Sequence, residues 1–272
     1  ACDGNVGLLK KLLNVGASPN TVSSSGNSML HFAANRGNHR VVRALLGYGA
    51  HVHVPGELGL TPLHVAALGN NPRTVASLLA GGAQVNFRAS EDDLTALDVA
   101  AVCGQATVLE ILRLNGANVH GGNSGGVSAL HRAAIADQAD AIEDLVQAGA
   151  DFDAQEDGSG WTPLHFALKR NTAWMGSVDL VRTLLDHGAV ATLADSVGRT
   201  ALHKAAYRNF ASVIHALVGA GAGVNASDSN GRRPLHCAAL FRFAEAAQAL
   251  LRHGADVDAL DRWRQSPLHR AA

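Results

Sequence analysis

The chain has 272 residues, 47% of them hydrophobic but only 4% aromatic, so its core must be built mainly from Leu, Val and Ala in thin helical layers. Its 22 Lys and Arg against 23 Asp and Glu leave a net charge of -1, which removes any global electrostatic pull toward nucleic acid or an acidic membrane surface. Cys2, Cys103 and Cys237 are odd in number, far apart and without C-x-x-C spacing, which argues against a disulfide framework or zinc site and for a reducing compartment; no apolar run approaches the ~18 residues of a membrane-spanning helix.

In chain order, Leu8-Leu9 and Leu12-Leu13 ahead of Gly16-Ala17 predict one helix that closes on a glycine. Beyond it the chain repeats itself. Leu30-His31 recurs as Leu63-His64, Leu97-Asp98, Leu130-His131, Leu164-His165, Leu202-His203, Leu235-His236 and Leu268-His269, in steps of 33, 34, 33, 34, 38, 33 and 33 residues. A Gly-Ala pair follows each of the first seven copies, from Gly49-Ala50 to Gly254-Ala255.

Each copy predicts two short helices. The first opens at a hydroxyl residue followed by Pro, as in Thr61-Pro62 and Thr162-Pro163, where the hydroxyl caps and the missing Pro N–H is not needed. It then lines up Leu63, Ala66 and Ala67 on one face, small residues that let neighbouring helices approach closely. The second carries apolar residues at helical period, such as Val41-Val42 with Leu45-Leu46 and Val213-Ile214 with Leu217-Val218. Asp228-Ser229-Asn230-Gly231 exemplifies the polar turn between copies.

One such pair cannot bury its apolar stripe alone, so copies must stack into a one-dimensional array. The reading is an all-α repeat solenoid of helix-turn-helix elements joined by β-hairpin-like loops, a single array over 1–272. It comprises a partial copy 1–22, full copies 23–55, 56–89, 90–122, 123–156, 157–194, 195–227 and 228–260, and a partial copy 261–272. Both ends fall within a copy and the first residues carry no signal-peptide pattern, so the expectation is an excerpt of a longer parent chain, monomeric within it.

The period of 33, the Thr-Pro-Leu-His-x-Ala opening at 61–66 and 162–167, and the closing Gly-Ala-x-Val-Asn at 82–86 resemble the ankyrin repeat over essentially the whole chain. The resemblance implies a concave face of loop tips and first helices, a convex back of second helices, and a protein-binding function without catalysis or cofactor. It also implies that the repeated His hydrogen-bonds within and between copies. Asp98 departs from the pattern; it retains polar capping chemistry, but altered local hydrogen bonds and a softer joint are expected there. The 38-residue step adds five residues around Asn171 to Ser177, including Trp174 and Met175.

Other chemistry finds little support in the pattern. Seven of fourteen His hold the fixed position, which reads as architecture before chemistry. His51 and His53, expected to share a side of an extended arm, supply two ligands where zinc needs three or four. There is no Gly-x-Ser-x-Gly elbow and no phosphate loop, and Gly158-Ser159-Gly160 and the glycines at 121–126 fall at turns.

The positions that the repeat leaves free define the expected binding surface. In the second half the resemblance places Trp161, Lys169, Arg170, Arg199, Tyr207, Arg208, Arg232, Phe241, Arg262 and Trp263 on the concave side, with Trp161 and Trp263 as anchors. Ser196, Ser229, Asn230 and Leu240 accompany them. The first half offers a milder, locally acidic set: Ser24, Asn27, Asn35, Glu57, Leu58, Leu60, Leu68, Glu91, Asp92, Leu94 and Val102. Trp174 and Met175 form a second candidate patch. Against this stand bland readings: Arg199, Arg232 and Arg233 as a solvated edge, and Tyr207 or Phe241 packing on the next copy. The expected partner is a protein or peptide, acidic or phosphorylated, in a cytoplasmic or nuclear setting; nucleic acid and membrane insertion are not expected. A second reading is a targeting or autoinhibitory module of a larger enzyme or ubiquitin-ligase adaptor.

Overall fold

A computed structural model describes residues 3–89, 93–169 and 178–272 of the chain. Its contacts cluster into two compact units, residues 1–123 and 124–272, called unit 1 and unit 2 here.

Unit 1 contains Asp3–Asn14 (α1), Met29–Asn35 (α2), His39–Gly47 (α3), Pro62–Leu68 (α4), Pro72–Ala80 (α5), Ala96–Val102 (α6) and Ala106–Leu114 (α7). The inner helices α2, α4 and α6 pack side by side, and α1, α3, α5 and α7 form a second layer behind them. Unit 2 continues with Ala129–Ile135 (α8), Ala139–Gln147 (α9), Pro163–Ala167 (α10), Val178–Asp186 (α11), Ala201–Ala206 (α12), Ala211–Gly219 (α13), Pro234–Leu240 (α14), Ala244–Arg252 (α15) and Pro267–Ala271 (α16). Its layers are α8, α10, α12, α14, α16 and α9, α11, α13, α15. Each unit is therefore a stretch of two-layered helical repeat solenoid.

The core follows from the sequence pattern. Leu63, Ala66 and Ala67 of α4 are buried, as are Leu202, Ala205 and Ala206 of α12, and the outer helices bury Val75 with Leu78 and Val213 with Ile214 and Leu217. Ala on the inner helices keeps the layers thin, which brings each inter-repeat turn within bonding distance of the next. The turns contain single antiparallel bridges, Val22 to Ser28, Ala89 to Leu94 and Ala194 to Thr200, rather than named strands among the described residues.

Gly198 shows why a glycine recurs in these turns. Its φ of +76° lies in the left-handed region, and a Cβ there would stand 2.9 Å from the Ser229 amide nitrogen of the following repeat. The tightness of repeat stacking is thus encoded at a single position. The 51–53 segment forms a turn instead of the expected extended arm, and His53 stacks on Phe87 with ring centroids 6.2 Å apart.

Candidate functional site

The site is built on the fixed histidine. In α12 the Thr200 N–H donates to His203 Nδ1 at 3.2 Å, so Nδ1 is the acceptor and the proton sits on Nε2, which donates to the Arg232 carbonyl of the next repeat at 3.0 Å. The arrangement recurs within unit 1 from His31 to Leu60 O and His64 to Leu94 O, both 2.9 Å. In unit 2 it joins His131 to Trp161 O at 3.1 Å, and His165 to Arg199 O and His236 to Gln265 O at 3.0 Å. Burial pushes the imidazoles of His31, His64, His131 and His203 below their usual range and takes His165 to about 4, which keeps them neutral and bonded in this tautomer. At Asp98 the capping chemistry is kept as expected: its Oδ2 accepts from the Thr95 amide and hydroxyl, both at 2.8 Å.

The residue after each turn glycine is held by its backbone, and in unit 2 a carboxylate shapes the turn that presents it. Asp228 Oδ1 accepts from the amides of Asn230 (2.8 Å) and Arg232 (2.9 Å), while Oδ2 pairs with the Arg232 guanidinium at 2.8 Å. Asp195 repeats this with Val197 and Arg199, and its Oδ2 also faces Lys204 at 3.6 Å. Burial works to raise the Asp195 carboxyl, but the Arg199 amide and guanidinium with Lys204 hold it below the usual range. Asp261 binds the Trp263 and Gln265 amides and pairs with Arg270 at 2.5 Å. One repeat before Asp195, Glu156 accepts from the Gly158, Ser159 and Trp161 amides; burial opposes its charge, but these bonds with the Ser159 hydroxyl lower it to about 2.

Between these turns and the inner helices of unit 2 lies a cavity of about 320 Å³. Seven of the ten residues expected for the main surface line it, Trp161, Lys169, Arg199, Tyr207, Arg208, Arg232 and Phe241, as does the accompanying Leu240. Arg262 and Trp263 are not among the lining residues; Arg262 bonds Asn230, and the half-exposed Trp263 ring carries Arg270 at 5.2 Å. Arg170, Trp174 and Met175, with Glu91 and Asp92, lie outside the described residues.

Two expectations change in chemical detail. Trp161 is a wall and not a free anchor: Lys204 Nζ sits 3.4 Å from its ring centroid, Phe166 packs edge-on at 5.2 Å, and its buried Nε1 has no acceptor among the described residues. Arg199, Arg232 and Arg233 stay partly solvated but are not free charges, since they pair with Asp195, Asp228 and Asp256. Tyr207 and Phe241 do pack, centroids 4.3 Å apart across adjacent repeats, yet each keeps a large exposed surface.

Sequence reasoning missed Lys204, Cys237 and Arg270, which also line the cavity. All three hold one variable place, the residue after the fixed His; this was the available signal. Lys204 is 12% exposed, and burial lowers it to about 8 against the pull of Asp195. The Cys237 thiol is pushed up to about 11 by burial and is correspondingly inert.

Unit 1 carries a smaller cavity, about 210 Å³, at the matching place in its first repeats. Predicted residues Asn27, Asn35, Glu57, Leu58 and Leu60 line it together with Phe32 and Val65. No basic side chain other than His31 lines it.

The family model described as ankyrin repeats (3 copies) matches residues 1–89, 50–123, 69–156, 97–195, 130–228 and 205–272. Among solved structures, the ankyrin repeat domain of Bcl-3, described as a unique member of the IkappaB protein family, aligns with a TM-score of 0.70 and 29% identity over 84% of this chain and 100% of that one. The 2-5A-dependent ribonuclease of Mus musculus is 48% identical over 48 residues, 18% of this chain and 6% of that protein. The B-cell lymphoma 3 protein homolog of Mus musculus is 35% identical over 92 residues, 34% of this chain and 19% of that protein. The chain thus spans only a small part of the curated relatives it matches. Among the described residues, no helix is long and apolar enough to cross a membrane.

Proposed function

The chain belongs to the ankyrin-repeat family, whose repeats are protein-interaction modules, and on that premise we propose that it binds a partner polypeptide through the cavity-bearing surface of unit 2, which seats an acidic or phosphorylated segment. The observation that carries this reading is the lining of the cavity. Basic side chains there lie beside half-exposed Tyr207, Leu240 and Phe241, so one surface offers charge for orientation and apolar area for affinity. The corresponding cavity of unit 1 lacks the basic component and is a poorer match for such a segment.

Lys169 and Arg208 are the informative residues to reverse, because no ion pair ties them to the framework among the described residues. We expect Lys169→Glu with Arg208→Glu to leave the circular dichroism spectrum unchanged and to weaken an affinity-captured partner at least ten-fold. Wild-type affinity should fall with added salt. Equal affinities for the captured partner in both proteins would refute the unit 2 surface.

A second reading is supported by the ribonuclease named among the relatives, of which this chain spans 6%. Here the array recruits or restrains an enzyme encoded in the same longer polypeptide. Co-purification of catalytic activity with the parent chain, altered by the same two reversals, separates it from the first reading.

A further inference from the structure

The unit 2 cavity holds more positive charge than the carboxylates behind it neutralise. Lys169, Arg199, Lys204, Arg208, Arg232 and Arg270 are six cations, and the carboxylates paired with them are three, Asp195, Asp228 and Asp261, so three positive charges are in excess. The excess is localised. Arg199, Arg232 and Arg270 are held by their own carboxylates at 3.2, 2.8 and 2.5 Å. Lys169 and Arg208 have none among the described residues, and Lys204 reaches only an Asp195 oxygen that Arg199 already uses. A buried Trp161 Nε1 donor without an acceptor among the described residues adds a second sign that the wall is incomplete.

We propose that this cavity is a receptor for a phosphate monoester borne on the partner polypeptide, with Lys169, Lys204 and Arg208 supplying the charge. A phosphate monoester brings up to two negative charges and three acceptor oxygens, whereas a carboxylate brings one charge and two oxygens and leaves more of the excess unmatched. The apolar rim of Tyr207, Leu240 and Phe241 favours an ester on a chain that continues past the anion over a free ion. The inference rests on the unit 2 reading above and specifies the chemistry it recognises.

The geometry has a protonic signature. Lys204 shares the cavity and its electrostatics with Lys169 and His165 from the preceding repeat, Asp195, Arg199, His203 and Arg208 from its own, Arg232, His236 and Cys237 from the following one, and Arg270 from the one after that. In the free protein burial keeps its ammonium at about 8, so at pH 8.5 much of it is neutral, and a bound dianion draws a proton onto it.

The probe is phenyl phosphate, titrated calorimetrically at pH 8.5 in two buffers of different ionisation enthalpy. Saturable binding with proton uptake is expected, at least ten-fold tighter than acetate. Lys204→Met should abolish the uptake and weaken binding at least ten-fold, and Arg208→Gln should weaken binding while preserving uptake. No saturation, equal affinity for acetate, or unchanged binding in both folded variants overturns the site. Phosphatase treatment of the captured partner separates this inference from the broader reading: lost binding supports the phosphate, whereas retained binding that Lys169→Glu with Arg208→Glu still weakens overturns the phosphate and leaves the surface intact. Binding to phosphoinositide vesicles in place of any phosphatase-sensitive polypeptide would overturn the polypeptide assignment.

Discussion

Units 1 and 2 use one backbone plan to display opposite chemistry. The turn that closes with Ser23 N–H on Asn27 O, Gly56 on Leu60 and Ala89 on Leu94 in unit 1 closes with Glu156 on Trp161, Asp195 on Arg199, Asp228 on Arg232 and Asp261 on Gln265 in unit 2. Where unit 1 presents Phe32, Asn35 and Leu60 around its cavity, unit 2 presents Lys204, Tyr207 and Arg232 around the larger one. The difference teaches that a cationic surface on this framework is accompanied by buried counter-charge, because guanidinium groups this close together repel unless carboxylates lie beneath them. The unit 1 surface, whose lining carries Glu57 and no Lys or Arg, has no such requirement, and its turns are made with Ser, Gly and Ala.

The most severe way to break the comparison is to remove a counter-charge. Asp228→Ala leaves Arg232 partly buried and two turn amides unpaired, and should cost unit 2 about 3–5 kcal/mol in urea unfolding. Ser23→Ala in unit 1 should cost under about 1 kcal/mol. All three tryptophans, Trp161, Trp174 and Trp263, fall in unit 2, so their fluorescence reports that unit while far-ultraviolet circular dichroism reports both.

Acid is the next lever. His165 titrates at about 4 in the folded chain against 6.5 for an unburied imidazole, so the unfolded state takes up the proton first as the pH falls. Its contribution is present above about pH 6.5 and is lost on descent toward pH 4, about 3 kcal/mol from this residue. Urea unfolding of the wild type at pH 7 and pH 4.5 should show the loss by tryptophan fluorescence, and His165→Gln should reduce that pH dependence without removing it, since His131 and His203 of the same unit are also held below their usual range.

The smallest effects sharpen the comparison at the turn between paired helices. Unit 1 fills that left-handed position with Gly37, Asn70 and Gly104, unit 2 with Asp137, Asn209 and Arg242. Gly37→Ala should cost about 1–2 kcal/mol, since φ is +66° and the new Cβ would crowd the Asn71 side chain. The exposed Arg242, at φ +56°, should gain up to about 1 kcal/mol as Arg242→Gly. Thermal melts of the two variants, shifted in opposite directions, would check both.

Much of this was legible in the sequence because repetition makes architecture visible. Leu63, Ala66, Ala67 and the Thr-Pro cap recur with their burial, and the fixed His announces its own bond by recurring at the same period. The free positions were legible as positions, and seven of the ten residues chosen for the main surface line one cavity. Their energetic roles were not legible, because they depend on partners one repeat away. Trp161 reads as a free aromatic until Lys204, 43 residues later, is found on its face. Arg199 and Arg232 read as free charges until Asp195 and Asp228 are found four residues earlier, beneath them. Lys204 and Arg270 sit inside the repeat signature, where the fixed His beside them hides a variable position.

The fixed histidine recognises the next repeat through a main-chain oxygen, an atom that every amino acid carries. Leu60, Leu94, Trp161, Arg199, Arg232 and Gln265 are six residues of four kinds, and each satisfies the same bond. The joint is therefore blind to the side chain it exposes. A chain assembled in this way can exchange the letters on its face one at a time while the binding of the book stays sewn.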